Sequence, residues 1–267
     1  MLASLRRLFG YRALIRSLVA RDLKARYRGS VLGFLWSFIN PLLLLLVYSF
    51  VFLVLPATRG SYAERAYSVF MFCGLLPWAW FSSSLLETST VLVGGGNLIR
   101  KVLFPAEVLP LVTVIAGLVN FCFGLPILFA FIVYFGVPVV WSDLLWLPLI
   151  VLVQLMLTMG LALLLSVLTV HFRDLRDLLA NLLTLWFFAT PILYRLEDVA
   201  GLSLRARDVM LFNPFAHLAR AYQGVLYEGG PYTGGWHLLM VGLGSFGVLV
   251  LGYAVFDRLR DTLAEVV

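Results

Sequence analysis

Six apolar runs, each about as long as a bilayer is thick, constrain this chain more than any other feature. A helix rises 1.5 Å per residue, so about 20 apolar residues cross about 30 Å of hydrocarbon. Runs of this kind lie at about 34–55, 67–90, 107–135, 145–170, 178–194 and 236–256. Lipid offers no partner to an open strand edge, so each run must be helical. The expected fold is all-α integral membrane, with six transmembrane helices in a single domain over 1–267. The third run is long enough to tilt, and Pro110 and Pro126 predict a bend in it; the fifth is short and ends near Pro191. Composition agrees: 62% of residues are hydrophobic and 13% charged, against about 45–50% and about 25% in soluble domains.

The net charge is +6. In a soluble protein this would raise nucleic acid as a partner; in a membrane protein Lys and Arg first set orientation, and no nucleic-acid partner is expected. With the N-terminus cytoplasmic, the inner segments 1–33, 91–106, 171–177 and 257–267 hold 14 Lys/Arg and the outer segments hold 6. The bias predicts both termini inside. Residues 1–30 read as an amphipathic interface helix: Leu5, Leu8, Phe9, Ile15, Leu18 and Val19 recur at helical spacing among eight cations. That pattern places an apolar face in the acyl boundary and a basic face among headgroups. It carries no signal-peptide cleavage pattern. Arg21, Lys24, Arg26 and Arg28 stand just before the first span. Their function is either plain anchoring or capture of a phosphate at headgroup depth, which guanidinium forks suit.

Little else in the chain resembles chemistry. Gly94-Gly95-Gly96 precedes Asn97-Leu98-Ile99-Arg100-Lys101, but a phosphate-cradling loop needs G-x-x-x-x-G-K-[ST], and the sequence contains none. The glycines instead predict a helix end and a short cytoplasmic helix free to dock. His171 to Asp177 mixes charges at close spacing, either as a solvated loop or as a second docking patch. Between the last two runs, 204–211 and 215–226 read as short helices broken at Asn213-Pro214, either dipping into the outer leaflet or resting on it. Glu87 and Glu107 lie near helix ends, and the deeper polar groups are only Asn40, Asn120, Gln154 and Asn181. An ion-coupled carrier usually places an ionisable group near the midplane. No catalytic or metal constellation is evident; His217 and His237 read as packing or interfacial residues, and Cys73 and Cys122 as small hydrophobes. Trp36, Tyr48, Trp78, Trp80, Phe81, Trp186 and Phe187 lie deep. They serve core packing, or offer ring faces to sugars.

Six blocks resemble one family in order. They are RDLKARYRGSVLGFLWSFINPLL at 21–43, GLLPWAWFSSSL at 74–85, NLIRKVLFPAEVLP at 97–110, FRDLRDLL at 172–179, ATPILY at 189–194 and NPFAHLARAYQ at 213–223. Together they are similar to the membrane subunits of type-2 ABC exporters for polysaccharides, a family handling O-antigen, capsule-type glycans and teichoic acids. The resemblance implies a non-enzymatic permease that forms a homodimer with two copies of a separate cytoplasmic ABC ATPase. ATP and Mg would belong to that partner, and this chain would carry no cofactor. It implies a channel for a glycan on undecaprenyl pyrophosphate, with the lipid head received at Lys24, Arg26 and Arg28. Leu98, Ile99, Arg100 and Lys101 fall in the coupling helix, and Arg173 and Asp174 in a second ATPase contact. Residues 196–232 match re-entrant periplasmic helices that cap the channel exit, with Asn213, Pro214 and Phe215 at their break. Trp36, Tyr48, Trp80, Phe81 and Trp186 are the expected channel aromatics. An exporter of a small lipid or drug, or an ion-coupled flippase, is the alternative.

Overall fold

The computed structural model describes residues 10–26, 29–30, 32–54, 64–95, 106–172, 174–194 and 212–266, with side chains except at 34, 37, 48–49, 51–54, 64–66 and 261–266. Among these residues every regular element is helical. The order is α1 (Arg12–Arg26), α2 (Trp36–Val54), α3 (Glu64–Gly94), α4 (Val108–Phe135), α5 (Leu147–His171), α6 (Leu175–Phe188), α7 (Pro214–Leu226) and α8 (Gly235–Val266). Four apolar stretches are long enough to cross a bilayer: Tyr67–Gly94, Val108–Phe135, Asp143–His171 and Gly235–Arg260.

The two remaining expected spans fall on α2 and α6. α2 has 19 residues and runs to Val54, beyond which the chain lies outside the described residues until α3. The run at 178–194 is a 14-residue helix that starts at Leu175 and stops at Phe188. Its length, about 21 Å, is below the thickness of the hydrocarbon core. It stops because Pro191 disfavours helix at Thr190 and has no N–H to donate. The chain turns there through Thr190 N–H to Phe187 O at 3.1 Å and Ile192 N–H to Thr190 O at 2.7 Å. Proline breaks nothing in the third run: α4 continues through Pro126, and Pro110 sits in its first turn, where no N–H is needed.

α3 is the central helix. Buried residues make up 78% of its most apolar stretch, against 17% for α8, so α3 faces protein and α8 mostly faces outward. α3 packs on α4 and α5, and α8 lies along α5. Small residues set those distances. A methyl at Gly117 of α4 would stand 2.6 Å from Ser84 Oγ and 2.8 Å from Trp80 Cδ1. One at Gly252 of α8 would stand 2.1 Å from the carbonyl oxygen of Gly160 on α5. Backbones approach closely where neither side carries a Cβ.

The helix ends sort into two sets. Leu92 at the end of α3, Leu109 at the start of α4, Val167 and Val170 at the end of α5 and Phe256 late in α8 form one apolar cluster. α1 lies at the same end, its Leu14, Ile15, Leu18 and Val19 packed on Val108 and Val112. The expected burial of this face in lipid gives way to burial against α4; Leu5, Leu8 and Phe9 lie outside the described residues. At the opposite end, Gly136 closes α4 in the left-handed conformation at φ 65°. Its N–H bonds Val133 O at 3.2 Å while Val137 N–H bonds Ile132 O at 3.0 Å, the paired closure that glycine permits. There Asp143 Oδ2 accepts from Tyr232 N–H at 2.7 Å, tying the α4–α5 loop to the α7–α8 loop.

α7 is not an outer-surface helix. Phe215, Leu218, Ala219, Tyr222, Gln223, Val225 and Leu226 are all buried, against α3, α5 and α8. The companion helix expected at 204–211 lies outside the described residues.

Candidate functional site

A pocket of about 450 Å³ opens between α1, α2, α3 and α4. α2 supplies Trp36, Asn40, Pro41 and Leu44; α3 supplies Phe72, Leu76, Trp80 and Ser83; α4 supplies Gly117, Asn120 and Phe121; Arg26 closes one edge. The walls are mainly ring and methyl carbon with a few polar groups, the usual make-up of a ligand site. Both indoles are fixed by their N–H groups. Trp36 Nε1 donates to Ser30 Oγ at 2.8 Å, and Trp80 Nε1 donates to Val114 O at 3.2 Å. Trp80 also packs on Phe121, ring centres 5.3 Å apart. Gly117 gives Trp80 its place, since any side chain there would displace the ring.

Arg26 is the most heavily engaged cation of the described residues. Its Nη1 donates to Glu87 Oε1 at 2.8 Å and its Nη2 donates to Glu87 Oε2. Its Nε donates to Asp22 Oδ2 at 3.0 Å, one turn back along α1. Its side chain keeps 25% exposure. Burial acts to lower the Arg26 pKa, but the Glu87 and Asp22 carboxylates outweigh it and hold the value above the ordinary one, so the charge is fixed at every accessible pH. The pair fastens α1 to α3 at the mouth of the pocket.

A second group of aromatic rings packs inside the bundle. Phe81 has 0% exposure. It lies 5.3 Å from Trp186 and 4.8 Å from Phe215 between ring centres, and Trp78 adds edge-on contacts to Trp186 and Phe215 at 6.2 and 4.8 Å. The spacings suit edge-to-face and tilted ring packing. Asn213 joins this cluster: its Oδ1 accepts from Trp186 Nε1 at 2.7 Å and from the N–H groups of Phe215 and Ala216 at 3.0 and 3.4 Å, while Nδ2 donates to Thr190 Oγ1 at 2.8 Å. Asn213 is thus the N-cap of α7 and its tie to the end of α6. Pro214 takes the first helical position, where its missing N–H is harmless.

The structure therefore divides the residues that the sequence singled out. Arg26, Trp36 and Trp80 meet in one pocket. Phe81 and Trp186 meet in the inner ring cluster, and Phe215, also 0% exposed, packs there with them. Lys24 is exposed on α1, away from the pocket, and Asp174 is exposed at the start of α6. The side chain of Tyr48, and Arg28, Leu98, Ile99, Arg100, Lys101 and Arg173, lie outside the described residues. Glu87, Asn40 and Asn120 were visible in the sequence as polar breaks in apolar runs. Their convergence with Arg26 was not, because it depends on how three helices and α1 cross. No group of three or more metal-binding side chains occurs among the described residues.

The sequence also has relatives. It is 41% identical over 273 residues to the O-antigen export system permease protein RfbA of Myxococcus xanthus, covering 99% of each chain. Two proteins of the same name from Klebsiella pneumoniae are 29% and 30% identical, each alignment covering 92% of both chains. The family model for the ABC-2 type transporter matches residues 13–227, from α1 to the end of α7. A match over that length, on a bundle of membrane-length helices, places this chain in the ABC-2 type transporter membrane family.

Proposed function

We propose that this chain is the membrane-spanning subunit of an ATP-driven exporter of O-antigen-like polysaccharide carried on undecaprenyl pyrophosphate. The observation that carries this reading is the 41% identity, end to end, to a permease named for O-antigen export. A relative of that similarity over 99% of both chains has no room for a different bundle or an added domain between its blocks. In this reading α2 and α6, with the turn after α6, complete six spans, and both termini face the cytoplasm of a bacterial inner membrane. Two copies of the chain enclose the path, and two copies of an ABC ATPase supply energy with ATP and Mg. The ATPase docks on Leu98–Lys101 and on Arg173 and Asp174, segments that follow α3 and α5 in the sequence; the ends of those two helices meet in the Leu92–Leu109–Val170 cluster, at the same end of the bundle as α1. The sequence holds no phosphate-binding loop of its own, consistent with a separate motor.

The test is functional replacement. Expressed with its ATPase in a cell lacking the native export pair, the chain should restore glycan at the cell surface. The purified complex should hydrolyse ATP with vanadate sensitivity, and the chain alone should not. Surface glycan that persists without the ATPase, or that stops when only the proton gradient is collapsed and ATP is held constant, would overturn the reading.

A further inference from the structure

α3 touches α2, α4, α5, α6 and α7. It runs from the Leu92 cluster at one end to Tyr67 at the other, where the Tyr67 hydroxyl donates to Leu193 O in the turn after α6. Pro77 stands inside it. A proline has no N–H, so the carbonyl of Cys73, four residues earlier, loses its helical donor, and the ring crowds that carbonyl. Helices bend most sharply at such points. Gly74, in the same turn, has no side chain; a methyl there would stand 3.1 Å from Gln223 Nε2 and 3.2 Å from Ile192 Cγ2.

Three further prolines lie at the same level. Gly124 of α4 packs so closely on Leu76, the neighbour of Pro77, that a methyl at Gly124 would collide with it. Pro126 follows two residues on, inside α4. Phe38 of α2 packs on Phe123 of α4, ring centres 5.5 Å apart, and three residues on stands Pro41, inside α2. Pro191 follows the end of α6, and its carbonyl accepts from the buried Gln223 Nε2 at 3.4 Å, beside Gly74. Each of these segments is weakened where its neighbours are weakened. The pocket of about 450 Å³ between α2, α3 and α4 leaves them room to shift, which a close-packed interior does not. α5 and α8 differ. Neither carries a proline beyond its first turn, and Gly160 and Gly252 bring their backbones together. α5 reaches the weak level through the buried Gln154, whose Nε2 donates to Pro77 O at 2.9 Å.

We propose that Pro41, Pro77, Pro126 and Pro191 form a hinge across the bundle, at which the halves of α2, α3 and α4 remote from α1 swing against the stiff α5–α8 pair. Gln154 and Gln223 are positioning residues that hold the hinge closed. The proposal rests on the export reading for what drives the swing, an ATPase acting at the Leu92 end. Motion imposed on that end of α3 bends the helix at Pro77 instead of tilting it as a rod, so the two ends of the bundle move by separate amounts.

The experiment uses the full chain with its ATPase in nanodiscs, on a background of Cys73→Ala and Cys122→Ala, and reads spin-label distances within one protomer by diluting labelled with unlabelled chain. Tyr134→Cys with Trp236→Cys reports the remote end of α4 against α8; Val93→Cys with Arg258→Cys reports the end of α3 against α8 beside the Leu92 cluster. All four positions are exposed. In the native chain, vanadate trapping with Mg-ATP should shift the two pairs by different amounts. Pro77→Ala with Pro126→Ala restores two helical donors. The remote pair should then cease to shift, and glycan export should fall at least about tenfold, the effect of blocking a conformational step. The melting temperature should hold or rise, since alanine suits a helix interior better than proline, and a damaged fold would lower it. Gln154→Leu should act in the opposite sense and broaden the remote-pair distances before nucleotide is added. Native export or a native remote-pair shift in the double variant, a lower melting temperature there, or an unbroadened distribution in Gln154→Leu would each overturn the hinge. A nucleotide-driven shift that the double variant loses, with no glycan moved by the native complex, would keep the hinge and retire the export reading. Normal export by the double variant would do the reverse.

Discussion

Asn213 makes one side chain serve two helices. It caps α7 through two backbone N–H groups and holds Trp186 and Thr190 at the end of α6. Asn213→Ala removes the cap and leaves the Trp186 N–H without its acceptor. The expected cost is about 1–3 kcal/mol, read as a lowered melting temperature in detergent, whereas Asn213→Asp keeps the cap and the Trp186 acceptor and should lose less. If the Ala variant melts with the native chain, the bonds at Asn213 carry no stability. At this scale the sequence was legible where a residue type has one favoured use. Asn before Pro before an apolar run announces a helix start, and the start is where α7 begins. Aromatic residues have no such restriction. Trp80 and Phe81 are adjacent on α3, yet Trp80 lines the pocket and Phe81 packs in the ring cluster, because neighbours on a helix point about 100° apart. Only the crossing of α3 with its partners decides which of the two meets a ligand.

Between elements, the tightest contact is α5 against α8. A Cβ added at Gly160 would stand 2.6 Å from Leu249 N, and one at Gly252 would stand 2.1 Å from Gly160 O. Gly252→Ala therefore has to push two backbones apart, and should cost about 1–3 kcal/mol. Gly244 and Gly247 lie on the same helix with nothing within 4 Å of an added Cβ. Gly244→Ala and Gly247→Ala should be neutral or mildly stabilising, since Ala is the better helix former by up to about 1 kcal/mol. Thermal unfolding of the three variants separates close approach from a general demand for glycine; an equal effect at all three positions would refute the close-packing account. A polar contact has a similar role nearby. The buried Gln154 of α5 donates to the carbonyl of Pro77 inside α3 at 2.9 Å, so Gln154→Leu removes a bond between the two helices and should loosen α5 on α3. Helix positions were legible in the sequence because lipid enforces one structure on any long apolar run, and the long helices fall where the runs lie. Partial burial was harder to read. α7 is only 13 residues and moderately apolar, which at the sequence level is compatible with a surface helix, an interfacial one or a core one. Tertiary packing on three neighbours makes it a core helix. The fifth run ends near Pro191 in the sequence, but its helix stops three residues earlier, at Phe188, because the residue before a proline is itself steered out of helix.

For the whole molecule, the contacts fix which ends lie together, and the distribution of charge predicts which side they face. The Leu92, Leu109, Val170 and Phe256 cluster and the packing of α1 on Val108 and Val112 put the end of α3, the start of α4, the end of α5 and the late part of α8 at one end. Asp143 with Tyr232, and Trp146 with Tyr232 at 5.6 Å between ring centres, put the α4–α5 and α7–α8 loops at the other. In the sequence, the segments expected inside hold 14 of the 20 Lys and Arg residues, and such an excess predicts the cytoplasmic side. The two lines of argument share no data: one is apolar packing, the other the distribution of cations along the chain. They yield a sharp expectation for cysteine labelling in intact cells, on a background with Cys73 and Cys122 replaced. Lys24→Cys and Asp174→Cys, both at exposed positions, should react with a membrane-impermeant maleimide only after the cells are opened. Thr233→Cys, exposed beside Tyr232, should react at once once the reagent has passed the outer barrier. A third arm adds the ATPase: if the docking assignment holds, its presence should protect Asp174→Cys in opened cells and leave Lys24→Cys less affected. Labelling of Asp174→Cys and Thr233→Cys from the same side would contradict the helix packing itself. Reversal of all three together would leave the bundle standing and turn it over in the membrane, carrying α1 and the Arg26–Glu87 pair to the outer face.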